Sequence, residues 1–232
     1  MSKINWILIN CLVFISGMCL LVYKSQSTHY DGELSLIHLE SNEDSVEHVN
    51  PRISTKMPQC LDYTGTLNQL KIWNKEAPTL TEIGTYGQST LGNDLYYIKL
   101  TNSKNVKDKN VILMTGCIHG NEPLSTSVLM ANIGFLLDAY GEDGRTTHLI
   151  DDNELYFIPV VSPDSYLRTR HVDGVDPNRN FPTENNPYVV SVKPVEALKQ
   201  FFLRIKPDAV ISGHTWGRVY LIPYGDRMSN CP

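Results

Sequence analysis

Three short apolar runs punctuate this 232-residue chain: Val111-Ile112-Leu113-Met114, residues 155–161 and residues 208–212. Each gives way to polar or ionisable residues. Runs so brief and continuous suit strands buried on both faces. Between them lie stretches with helical spacing. After Pro123 come Leu124, Val128, Met130, Ile133, Leu136 and Leu137, closed by Tyr140-Gly141; after Pro194 come Val195, Leu198, Phe202 and Ile205, stopped by Pro207. Strands alternating with helices predict an α/β domain with a mixed, largely parallel sheet flanked by helices. Ligands in such sheets bind at the carboxyl ends of the strands.

Upstream, Thr66-Leu67-Asn68-Gln69 has the spacing of a capping box, with Leu70 and Trp73 on one helical face and Pro78 as the stop. Residues 80–85 and 95–100, joined through Gly87, Gly92 and Asn93, read as a β-hairpin.

The amino terminus is different in kind. No charge falls between Lys3 and Lys24, and residues 6–23 are almost wholly apolar. That length lies between a secretory core of about 7–15 residues and a membrane helix of about 20. Residues 1–24 are therefore expected to be a signal peptide or a signal-anchor helix, cleaved or retained, placing the rest outside the cytoplasm. If uncleaved, residues 6–23 would tether the chain to a membrane. Residues 25–58, polar and acidic, read as a stalk or pro-segment, and residues 59–232 as the main domain. Twenty Lys and Arg against 25 Asp and Glu leave a net charge of −5, which offers no basic surplus for a nucleic acid. Beyond the apolar segment stand three cysteines. Cys60 and Cys231 could bridge, while Cys117 looks like a buried thiol, and the sequence does not assign the pairing.

Chemistry concentrates at the predicted strand ends. The first run leads into Gly116-Cys117-Ile118-His119-Gly120-Asn121-Glu122-Pro123, an imidazole and a carboxylate three residues apart. Read alone, the pair is more simply a polar turn capping the next helix. His214 follows the third run and could supply a second imidazole. Two histidines and one carboxylate around zinc leave a position open for water, as a hydrolytic metal requires. Between them lies Asp176-Pro177-Asn178-Arg179-Asn180-Phe181, in which Asn178 and Arg179 offer planar donors for a carboxylate. Asp176 could accept the second N–H of a ligand histidine. Arg168 and Arg170 supply cations able to polarise a carbonyl.

Taken together, these motifs resemble the zinc carboxypeptidase family (carboxypeptidase A/B-like). The match lies in His119-Gly-Asn-Glu122, Ser162-Pro-Asp164, Asp176-Pro-Asn178-Arg179-Asn-Phe and His214-Thr-Trp-Gly-Arg-Val-Tyr220-Leu-Ile-Pro223-Tyr224-Gly225, and in the hairpin sequence of residues 83–95. The resemblance runs from about residue 60 to the end and implies one zinc ion per chain, held by His119, Glu122 and His214. It implies that Asp176 orients His119, that Asn178 and Arg179 hold the substrate's terminal carboxylate with Tyr224 nearby, and that Arg170 stabilises the oxyanion. Arg168 is a second candidate, because the spacing from Arg170 to the clamp is one residue short.

Further departures are Ser162 for Asn, Ser165 for Gly and Pro177 within the clamp. The family's catalytic glutamate, expected about 70 residues beyond the third ligand to act as general base, has no counterpart, since Asp226 is the sole acidic residue after His214. The resemblance thus implies a domain without its last strands. Its implied activity is zinc-dependent removal of C-terminal residues from peptides or proteins. The alternatives are an inactive binder of peptide C-termini and a zinc amidase acting on cell-wall peptides or N-acyl amino acids.

Overall fold

The computed structural model describes residues 60–105, 108–182 and 192–215, together with the backbone of two short strands, Cys19–Tyr23 and Tyr220–Leu221. In chain order the elements are β1 (Cys19–Tyr23), α1 (Tyr63–Glu76), β2 (Thr81–Gln88), β3 (Asp94–Leu100), β4 (Asn110–Thr115), α2 (Pro123–Ala139), α3 (Gly144–Asp152), β5 (Asn153–Ile158), α4 (Lys193–Ile205), β6 (Ala209–His214) and β7 (Tyr220–Leu221). A single 3₁₀ turn, Pro177–Arg179, lies between β5 and α4.

The strands form one mixed sheet in the order β2-β3-β5-β4-β6-β1-β7. Its centre is parallel, with β4 paired to β5 on one side and to β6 on the other. The hairpin β2–β3 joins it antiparallel through β5. The apolar helix expected over residues 6–23 falls outside the described residues except for Cys19–Tyr23, which pairs antiparallel with β6 as a strand. Among the described residues no helix is long and apolar enough to cross a membrane.

Alternation along β4 shows how the sheet is covered. Ile112 and Met114 pack with Leu70 of α1, Leu129, Met130 and Ile133 of α2, and Ile150 of α3. Leu113 points the other way, into a second core with Tyr86, Leu95, Leu198 and Phe201 of α4. Both faces are buried, which is why the run is apolar without a polar alternate. Truncating a fully buried side chain such as Phe157 or Ile133 would cost about 3–5 kcal/mol for an aromatic and about 2–5 for an aliphatic.

This covering decides where a ligand can go. The chain leaves β4, crosses one face through α2 and α3, and returns as β5. It then leaves β5, crosses the other face through α4, and returns as β6 on the opposite side of β4. Connections diverging to opposite faces open a crevice at the carboxyl ends of β4 and β6, the switch point of an open α/β sheet.

Three local expectations change. The first helix begins earlier, because Asp62, not Thr66, is its N-cap: Gly65 N–H donates to Asp62 Oδ1 at 2.6 Å. Thr66 turns its hydroxyl back to the Asp62 carbonyl at 2.9 Å. The strand expected over residues 155–161 ends at Ile158, because Pro159 breaks the ladder and the chain bends toward β4. Helix α3 was not foreseen. It is capped by Asp143 and buries only Thr146 and Ile150, too little apolar periodicity to announce itself. Cys117 is fully buried as expected, and burial pushes its thiol up to about 12. Cys60 is exposed and free, and Cys231 lies outside the described residues.

Candidate metal and substrate site

Strand β4 ends at Thr115, and residues 116–122 form a tight loop before Pro123 opens α2. Strand β6 ends at His214 itself. Because β4 and β6 are hydrogen-bonded neighbours, with Thr115 opposite Ser212, the loop and His214 meet at the same edge of the sheet.

His119 Nδ1 lies 2.9 Å from Glu122 Oε1, and His214 Nδ1 lies 2.9 Å from Glu122 Oε2. One carboxylate thus faces two imidazole nitrogens, one with each oxygen. The ring centroids are 5.1 Å apart, and the three potential ligand atoms lie within 4.8 Å of one another. All three side chains are buried. The Thr215 N–H also donates to Glu122 Oε2, at 3.2 Å.

His119 carries a second contact on the far side of its ring: Nε2 lies 2.9 Å from Asp176 Oδ1. A neutral imidazole has one N–H. Donated to Asp176, it leaves the Nδ1 lone pair facing a carboxylate oxygen, an opposition that a cation between them relieves. His214 Nε2 is buried without a partner among the described residues, so its ring is held through Nδ1 alone. The donor set fits a divalent ion that accepts nitrogen and oxygen, zinc foremost.

Electrostatics agree. Burial opposes the charge on Glu122, but its close contacts with the His119 and His214 rings outweigh it and hold the carboxyl well below the usual carboxylate range. Partial burial likewise opposes ionisation of Asp176. Its hydrogen bonds to His119 and Arg170 prevail, and its pKa is lowered.

The arginines separate clearly. Arg170 donates to Asp176 Oδ2 through Nε at 3.2 Å and Nη2 at 3.0 Å, and its Nη1 stands 3.7 Å from Glu122 Oε1. Arg168 is exposed and turns back to the Asp164 carbonyl, away from the histidines. The turn Pro177–Arg179 is held because Asp176 Oδ1 accepts the Asn178 N–H at 2.9 Å. Asn178 is half-buried, while Arg179 is exposed, and among the described residues its guanidinium bonds only the adjacent Asn178 carbonyl, at 3.1 Å, which leaves it available to a ligand. Tyr224 lies outside the described residues.

Sequence reasoning missed two supports. Gly120 is required because a Cβ there would lie 2.1 Å from the Ser165 carbonyl oxygen, pressing the ligand loop against the turn after β5. Asp164 clasps the hairpin turn, accepting from Ser89 Oγ at 2.6 Å, Asn93 Nδ2 at 2.8 Å and Leu91 N–H at 3.0 Å. The glycine inside the histidine-to-glutamate spacing was the available signal for the first, and the Ser162-Pro-Asp164 turn for the second.

Comparison with known proteins places this geometry. Carboxypeptidase D of Drosophila melanogaster is 24% identical over 173 residues, covering 68% of this chain and 12% of that protein. A zinc carboxypeptidase of Saccharothrix mutabilis subsp. capreolus is 26% identical over 176 residues, covering 66% of this chain and 39% of that one. The chain thus spans well under half the length of these relatives. Among solved structures, thrombin activatable fibrinolysis inhibitor superposes with a TM-score of 0.64 at 20% identity, over 77% of this chain and 53% of the other. Carboxypeptidase A of Helicoverpa armigera superposes with a TM-score of 0.53 at 19% identity, over 62% and 42%. These likenesses establish the fold. The zinc carboxypeptidase family model matches residues 66–232, a span that contains both histidines, both carboxylates and the clamp turn, and the chain belongs to that family.

Proposed function

We propose that this chain carries the metal and substrate-binding machinery of an exported zinc metallocarboxypeptidase. The observation that carries this reading is the pair of imidazole Nδ1 atoms from His119 and His214 set against the two oxygens of Glu122 in a buried pocket. Zinc held there supplies a Lewis acid for the scissile carbonyl and an acidified water. The protein's own residues do the rest. Asp176 fixes the His119 ring through Nε2. Asn178 and Arg179 would capture the terminal carboxylate of a peptide, orienting its last amide bond within the site. Arg170, able to swing from Asp176, neutralises negative charge gathering on the carbonyl oxygen.

Glu122 and Asp176, the carboxylates at this site, are both engaged with histidine rings. Neither is therefore free to shuttle a proton as general base. The same fact supports a second reading, a protein that binds peptide C-termini without cleaving them. Export rests on the apolar composition of residues 6–23, although Cys19–Tyr23 pairs with β6, with residues 25–58 as a stalk or pro-segment and residues 59–232 as the main domain.

One experiment decides between the two. The purified protein is analysed for zinc, then incubated with a peptide mixture, and released C-terminal residues are followed by mass spectrometry. One zinc per chain with stepwise release supports the enzyme. One zinc without release supports the binder, and no zinc refutes both.

A further inference from the structure

A buried hydroxyl lies behind the metal ligands rather than among them. Ser125, in the first turn of α2, is fully buried. Its Oγ accepts the Cys117 N–H at 2.8 Å and donates to the Glu122 carbonyl at 2.7 Å. These residues stand at the beginning and end of the segment that carries His119 and Glu122. The hydroxyl therefore closes the ligand loop end to end.

Two features show that the loop needs this closure. Cys117 has a φ of 47°, a left-handed conformation unfavourable for a residue with a side chain, which persists only when its surroundings over-determine it. Its amide also lies in a fully buried residue, where lack of a partner is costly. Ser125 further abuts the other ligand strand. A Cβ on Gly213, the residue before His214, would sit 3.3 Å from Ser125 Cβ, so the serine packs directly on that backbone. One hydroxymethyl group thus touches both segments that deliver the three ligands.

We propose that Ser125 is a positioning residue for the metal centre, setting the mutual placement of His119, Glu122 and His214 without contacting the ion. The inference rests on the metal reading above. Alanine removes the closure while retaining the Cβ that packs on Gly213. The loop then gains freedom, and the ligands must be ordered at the expense of metal affinity.

The test compares Ser125→Ala with Thr126→Val. Thr126 offers a near control: it is the next residue of the same helix, buried, and donates at 2.7 Å to the Pro159 carbonyl, and its contact with the loop is to the Cys117 thiol rather than to the Cys117 amide or the Glu122 carbonyl that Ser125 joins. Zinc affinity is measured by competition with a chromogenic chelator, the cobalt-substituted protein is recorded in its visible d–d bands, and Tm is taken without metal. S125A is expected to weaken zinc by about 10-fold or more and to alter the cobalt bands, in the range seen for residues supporting metal ligands. T126V is expected to lower Tm comparably while leaving zinc affinity and cobalt bands as in the wild type.

Equal zinc affinity in S125A and wild type, or equal weakening by both variants, would overturn the proposal. Absence of zinc binding by the wild type would overturn the metal reading itself, a distinguishable outcome. Should S125A fail to fold, amide exchange in the wild type replaces it. Zinc is expected to slow exchange at Cys117 together with His119 and Glu122, and slowing at the latter two alone would refute the coupling.

Discussion

His119 Nε2 and Asp176 Oδ1 stand 2.9 Å apart, joining a residue of the β4 loop to one 57 positions later in the chain. The contact fixes which imidazole nitrogen is free to face Glu122. Asp176→Asn keeps the shape but removes the charge, and its amide can present either oxygen or nitrogen to the ring. Zinc affinity is expected to fall about 10–100-fold, read by chelator competition. An unchanged affinity would show that Asp176 does not orient the ligand.

Removing a ligand is a harsher change. His119→Ala and His214→Ala each delete one of three protein donors, and each variant is expected to lose stoichiometric zinc. Elemental analysis of the purified variants checks this. Retention of one zinc per chain in either would refute the site.

Arg179 lies at the opposite extreme, since its side chain is exposed and, among the described residues, bonds only a neighbouring carbonyl. Arg179→Ala is expected to change stability by no more than about 0.5 kcal/mol and to leave zinc bound. Peptides with a free terminal carboxylate should bind about 10–100-fold more weakly, the equivalent of one charge-assisted hydrogen bond of about 1.5–3 kcal/mol. Binding measured on matched free and amidated peptides tests the clamp. Equal losses on both would remove it.

Asp164 provides a pH-dependent test of the fold near the site. Partial burial opposes its charge, but hydrogen bonds from Ser89, the Leu91 N–H and Asn93 lower its pKa. A carboxylate with a depressed folded pKa contributes stability that is fully present above its unfolded value of about 3.9, and that stability is lost as pH falls through the folded value. Asp164→Asn is expected to cost about 1–3 kcal/mol at neutral pH. Its Tm deficit should shrink on acidification below about pH 4. A deficit independent of pH would show that charge has no part in the clasp.

Gly120→Ala tests the packing of the ligand loop. The added Cβ would fall 2.1 Å from the Ser165 carbonyl oxygen, against backbone that has no flexible side chain to yield. A cost of at least about 1–3 kcal/mol is expected, with a loss of zinc affinity, measured by thermal unfolding and metal titration. A variant as stable and as metal-competent as the wild type would contradict the close approach.

Local pattern made much of this legible. The apolar runs at residues 111–114 and 208–212 became β4 and β6, and Pro123 and Pro194 sit in the first turns of α2 and α4, because burial and proline's fixed φ act over a few residues. The chemical residues could be picked from the sequence for the same reason, since His119-Gly-Asn-Glu122 and Asp176-Pro-Asn178-Arg179 are contiguous. Competition between equivalent local signals was less readable. The capping-box spacing pointed to Thr66, and only the packed helix shows that its first turn uses Asp62.

What the sequence by itself determined was most of the inventory: the central strands, the helices that open on Pro123 and Pro194, and two histidines and a carboxylate placed at strand ends. Tertiary structure alone decided that β6 lies beside β4 and not beyond β5, bringing His214 to Glu122 across 92 residues of chain. It also decided that Arg170 rather than Arg168 turns toward the centre, and that Ser125 closes the ligand loop. Strand order and side-chain direction depend on which faces the crossovers cover, and that is a property of the whole sheet, which no short stretch of residues encodes.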